Sequence, residues 1–128
     1  MSDLHDGRPV DIVAAFTHFD DQWSPKAVAA MNDYHVKVVK VLGEFVWHRH
    51  EETDELFLVI DGELTIELEG TDPVSLGRNE LFVVPKGVLH RPIATREARV
   101  LLIEPADVIN TGDAERGPLT SDVDWLEA

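Results

Sequence analysis

Hydrophobic and polar positions alternate through the middle of the chain and lose that rhythm at both ends. From Tyr34 the stretch YHVKVVKVL alternates and is rich in β-branched residues. EFVWHRH follows Gly43, and ELFLVI runs into Asp61-Gly62 before ELTIELEG. LFVVP, RPIA and RVLLIEP come after PVSLGRNE, so short strands recur about every 8 to 12 residues, the spacing of an all-β sandwich or barrel. Asp-Gly favours a turn with positive φ and predicts an antiparallel hairpin between LFLVI and ELTIEL. Strict alternation would set Phe45 and Trp47 opposite Val46, His48 and His50, and LFLVI is apolar on both faces. The sheet is therefore expected to be covered on both sides, by an N-terminal arm or by a second subunit. In small all-β proteins a symmetric dimer often hides such a face, and a homodimer is expected.

The ends read differently. VDIVAAFTHF is open between a helix and a docked strand. Ser24-Pro25 before KAVAAMND predicts an N-cap, a proline at the first helical position and a short helix. After position 104 the chain is polar and turn-rich until Trp125-Leu126, which predicts an aromatic anchor docked on an apolar surface. The expected organisation is an arm over 1–33, a barrel over 34–104 and a tail over 105–128, within one domain spanning 1–128.

Composition narrows what such a fold could do. At 128 residues the chain suits one hydrophobic core. No apolar run approaches the roughly 20 residues of a membrane helix, and the N-terminus lacks the pattern of a secretion signal, so a cytoplasmic protein is expected, without a membrane partner. Eleven Lys and Arg against 25 Asp and Glu give a net charge of −14, which repels phosphate backbones and argues against nucleic-acid binding. The absence of cysteine leaves histidine and carboxylate as metal-binding chemistry.

His48 and His50 lie two apart in a strand pattern, so both imidazoles project from one face. Glu55 follows where the chain turns into the next strand and could add a carboxylate. His90 comes after Pro85-Lys86-Gly87, a rigid turn able to bring a third imidazole to a barrel mouth. His5, His18 and His35 belong to no such set and are assigned no role. The acidic run Glu51, Glu52 and Asp54 reads as a solvated loop.

These positions resemble the two motifs of the cupin superfamily. Gly43, His48, His50, Glu55 and Gly62 match the first motif, and Pro85, Gly87 and His90 match the second. The resemblance implies a cupin-type β-barrel, the double-stranded β-helix or jelly roll. It also implies a metal held by His48, His50, Glu55 and His90. Three departures stand out: Gly43 is one residue closer to His48 than usual, Asn79 replaces the second motif's first glycine, and Ala94 replaces its final asparagine. None removes a ligand, and asparagine tolerates the left-handed backbone that such a glycine would adopt.

Three imidazoles and a carboxylate suit a divalent transition metal. Fe(II), Mn(II) or Ni(II) is favoured, with Cu(II) and Zn(II) behind them. Four protein ligands on a six-coordinate ion would leave two positions for a small molecule. Zinc is less attractive because four ligands nearly close its tetrahedron. The expected function is a metal-dependent enzyme acting on a small oxygen-rich molecule, by oxygenase or by isomerase or lyase chemistry; the alternative is a non-catalytic metal-dependent binding or sensing cupin. Fold alone does not choose between them, and no general base outside the ligand set can be named.

Overall fold

The computed structural model describes residues 7–126. A short helix α1 (Ile12–Ala15) is capped by the Asp11 carboxylate, which accepts from the Ala14 amide, and runs into a 3₁₀ turn at Phe16–His18. Seven strands follow: β1 (Lys26–Met31), β2 (Tyr34–Glu44), β3 (Glu55–Asp61), β4 (Leu64–Leu68), β5 (Val74–Leu76), β6 (Leu81–Val84) and β7 (His90–Pro105).

The long strand β7 organises the molecule. Its neighbours are all antiparallel, β2 along nearly its whole length on one edge, and on the other edge β4 at residues 90–93 and β3 at residues 99–103. A register shift in β2 between Val41 and Gly43 accompanies the change of direction, and β7 thus serves both walls of the barrel. On β7 the even-numbered residues other than Arg96 point inward. Ala94, Ala98, Val100 and Leu102 join Val39, Val41, Phe57, Val59, Leu64 and Ile66 in the main core.

Two expectations are corrected. LFLVI and ELTIEL do not form a hairpin: β3 pairs with β6 and β7, and β4 pairs with β5 and β7. Gly62, at φ +87, turns the chain from one wall to the other, and its α-carbon packs so closely on Ala98 that a Cβ would sit 3.1 Å from the Ala98 Cα and Cβ. Likewise, KAVAAM is a strand and not a helix. Asn32, at φ +56, and Asp33 make a two-residue turn that pairs Met31 with Tyr34 and Lys26 with Val38. The helix propensity of three alanines yields to a ladder that buries Ala27 and Val28.

The arm does cover the outer face of the sheet. Phe16 and Phe19 pack with Val28, Val38 and Leu126, and the Lys40 ammonium donates to the Phe19 carbonyl at 2.6 Å. The C-terminal segment docks here through Leu126, which is buried and donates its amide to the Ala27 carbonyl, while the aromatic Trp125 expected to anchor it is half-buried.

Candidate metal centre

The site begins with two strands crossing. His48 and His90 exchange both backbone hydrogen bonds, His48 N to His90 O at 3.0 Å and His90 N to His48 O at 2.8 Å, which places their imidazoles side by side on the interior face. The second motif holds this crossing in place. Gly87, at φ +79, donates its amide to the His50 carbonyl, and the Val88 amide closes the turn on Pro85. Glu55 opens β3 opposite Val84 and points inward with Phe57 and Val59.

All four predicted residues converge. His48, His50, Glu55 and His90 are buried, and each offers a ligand atom lying within 4.8 Å of the others. In His48 the Nδ1 atom meets the Val46 carbonyl, and in His90 the Val88 carbonyl, each at 2.9 Å. Since a carbonyl only accepts, Nδ1 carries the proton and Nε2 is left with a lone pair facing the cluster. The Nε2 atoms of His50 and His90 stand 3.4 and 3.5 Å from Glu55 Oε1, and none of these three buried atoms has a hydrogen-bond partner. Buried polar atoms are costly when unsatisfied, and a cation at their common focus would satisfy all three. The donor set therefore fits a divalent transition metal.

Electrostatics keep two of the donors, His48 and Glu55, in ligand form. The pKa of His48 is lowered from 6.5 to about 4, first by burial and then by the neighbouring His90. Burial would raise Glu55, but the adjoining Glu104, His50 and His90 side chains outweigh it and hold the carboxyl well below its usual range. Glu104 moves the other way, pushed up by burial and then by the Glu55 charge. Of the two carboxyls, Glu55 is thus the one that favours the anion.

Glu104 and its partner Lys37 are residues the motifs do not reach. Lys37 Nζ donates to Glu104 Oε2 at 2.8 Å, with both side chains almost fully buried. Inward parity was the available signal: Lys37 falls in step with Val39 and Val41, and Glu104 with Val100 and Leu102.

Phe45 corrects another expectation. Residues 45–47 lie outside the named strands, so alternation fails there. Phe45 turns inward to contact His48 at 5.3 Å between ring centroids and stacks on Trp23 at 4.6 Å, whereas Trp47 is exposed. The tail also matters more than its sequence suggested. The Asp113 carboxylate accepts from the Arg49 amide at 2.8 Å, and Gly112 packs so tightly that a Cβ would overlap the Arg49 carbonyl oxygen. The tail thereby clamps the residue between two of the donors.

The remaining residues singled out in the sequence stand apart. His18 is exposed, His35 packs edge-on against the Trp125 ring at 5.0 Å, and His5 lies outside the described residues. Glu51 and Glu52 border a wide, open cleft beside His50 together with Asp107 and Asp113, and the Asp54 carboxylate accepts from the Lys86 amide. Asn79 adopts φ +69, the left-handed conformation its glycine-like position requires, and Ala94 is part of the core. No helix among the described residues is long and apolar enough to cross a membrane.

A small barrel with this donor set defines a class, and comparison with known proteins places the chain in it. Residues 36–104 match the Cupin domain family, and the chain belongs to that family. It is 45% identical to a cupin-2 domain containing protein from Shewanella frigidimarina; the alignment covers 75% of this chain and 93% of that one, with a TM-score of 0.73. It is 37% identical over 65 residues to the uncharacterized protein YdbB of Bacillus subtilis (strain 168). That match covers 51% of this chain and 58% of YdbB, so the chain spans under two thirds of that relative. A hydroquinone 1,2-dioxygenase from Sphingomonas sp. TTNP3 with 4-hydroxybenzoate bound shares the fold alone, at 20% identity and a TM-score of 0.59 over 68% of this chain and 69% of that one.

Proposed function

We propose that this chain is a metal-dependent enzyme whose reacting centre is a divalent ion held by His48, His50, Glu55 and His90. The observation that carries the reading is the convergence of four buried donors, three of them with a ligand atom that has no other partner. Fe(II), Mn(II) or Ni(II) suits three imidazoles and a carboxylate best. Such an ion, when bound, polarises a substrate oxygen as a Lewis acid or supports oxygenase chemistry. The chain's own residues bind and orient: the Val46 and Val88 carbonyls fix two imidazoles, and the apolar core beside them excludes water. The fold shared with a dioxygenase is compatible with oxygenase chemistry and does not select it over isomerase or lyase chemistry.

One observation favours a second reading, a non-catalytic binding cupin using the same metal. The recess beside the cluster carries no acid or base apart from His48 and Glu55 themselves, so proton transfer would have to use the ligand set. In either reading the protein acts as a cytoplasmic homodimer on a small molecule, without nucleic-acid or membrane partners.

The test is elemental analysis of protein purified without added metal or affinity tag, beside a His48→Ala, His50→Ala variant. Close to one iron, manganese or nickel ion per chain is expected, absent from the variant while its circular dichroism stays unchanged. Wild-type protein that carries no metal and takes up none on titration would overturn the assignment.

A further inference from the structure

Beside the cluster lies a narrow recess, open at its mouth, which shares His48 and Glu55 with the donor set. Its walls are Val39, Val41, Phe57, Leu64, Val100 and Leu102, closed on one side by the stacked pair Trp23 and Phe45. Four of its thirteen lining residues carry a polar side-chain atom: Trp23, Asn110, His48 and Glu55.

The first two are already engaged. Trp23 Nε1 donates to the Leu42 carbonyl at 2.8 Å. Asn110 donates to the Trp23 and Leu119 carbonyls at 2.7 and 2.8 Å and accepts from the Ser121 amide at 2.7 Å. The Trp23 backbone sits at φ +61, an unfavourable conformation for tryptophan, held by the bond from its amide to the Lys40 carbonyl and by Asn110. Arm and tail together thus fix an aromatic wall over the barrel interior. Every polar side chain left to a guest is at the cluster end.

We infer that the substrate is a small molecule with an apolar body and its oxygens gathered at one end, the end that meets His48 and Glu55. This rests on the proposed function for the location of the reacting centre, and narrows its oxygen-rich molecule to one that is not hydroxylated all round. A sugar-like ring would bury several hydroxyls against valine, leucine and phenylalanine without partners. The open cleft on the far side of His50, bordered by Glu51, Glu52, Asp107 and Asp113, is polar and solvated and offers no apolar body such enclosure.

The experiment compares two neutral probes with the same six-membered ring, cyclohexanol with one hydroxyl and myo-inositol with six. Each is titrated into chelator-treated and Zn(II)-reconstituted protein, and the methyl resonances of Val39, Val41, Leu64, Val100 and Leu102 are followed by NMR. Cyclohexanol is expected to shift these methyls in both forms, with myo-inositol at least roughly 10²-fold weaker. Equal or tighter binding of myo-inositol, shifts confined to Val108 and Ile109 in the open cleft, or no binding of either probe would overturn the inference. Zn(II) uptake is measured separately. Protein that takes up no metal yet prefers cyclohexanol would defeat the metal reading alone, and metal-loaded protein that prefers myo-inositol would defeat this inference alone.

Discussion

Burying an imidazole between two others works against its protonation, and at His48 the effect reaches a pKa of about 4. Between that value and the unfolded 6.5 the unfolded chain binds a proton that the folded one does not, so stability falls as pH drops through this window. From pH 7 to pH 5 the loss due to His48 is about 2 kcal/mol in chelator-treated protein. Urea unfolding at both values is expected to show this as the difference between wild type and His48→Gln, and equal pH slopes for the two would contradict it. Glu104 works in the opposite sense: its raised carboxyl contributes stability at low pH that is lost as pH rises. Lys37 opposes that loss by pairing with the anion. Lys37→Met should therefore cost about 3 kcal/mol at pH 8 and visibly less at pH 5, where Glu104 can take a proton. The four donors were legible because they carry motif spacing. Lys37 and Glu104 were not, because a lysine and a glutamate in alternating strands ordinarily mark the solvent face, and their parity with Val39, Val41, Val100 and Leu102 was the one sign against it.

At the scale of elements, turns with left-handed residues decide where the chain goes. Asn79 donates its amide to the Val59 carbonyl at φ +69, so Asn79→Ala should lose about 1 kcal/mol in urea unfolding while Asn79→Gly stays near wild type. Gly112 carries the larger consequence. At φ +54 and against the Arg49 carbonyl, a methyl group there would strain the backbone and push the tail from the His48 to His50 segment. Gly112→Ala is expected to weaken Mn(II) binding roughly tenfold, read by metal titration, because it displaces support for two ligands rather than a ligand. Unchanged affinity would mean the tail is only a cover. Most strands of the barrel were read correctly from their alternation, but EFVWHRH pairs only at His48, RPIA and RVLLIEP are one strand, and the pairing of β3 and β4 was misread. Asp61-Gly62 marks a turn equally well whether the chain folds back on itself or crosses to the other wall, and the partner that decides, β7, lies some thirty residues further on. The Ala-rich β1 misled for the related reason that local propensity cannot see β2, although Asn32-Asp33 was a hairpin signal in plain sight.

For the whole molecule, the outer face of the sheet poses the remaining question of assembly. Two rows run across four strands, Val36, Ile103, Leu56 and Val83 in one and Val38, Leu101, Leu58 and Leu81 in the other. The arm buries the Val38 end under Phe16 and Phe19, and cover thins toward β6, where Leu81 is 55% and Val83 40% exposed. A continuous apolar face left open at one end suits a second copy of the same chain packed about a two-fold axis. Charge works against that association, since each chain carries −14 and like charges repel until salt screens them. The wild-type chain is thus expected to sediment as a dimer that tightens from low to moderate salt, the reverse of an interface held by ion pairs. Leu81→Lys with Val83→Lys should yield a folded monomer at every salt concentration, since both side chains are already exposed within one chain and their loss removes only intermolecular burial. A wild-type monomer at high concentration and moderate salt would leave the open end of the face as ordinary surface and confine the arm's role to covering its own barrel.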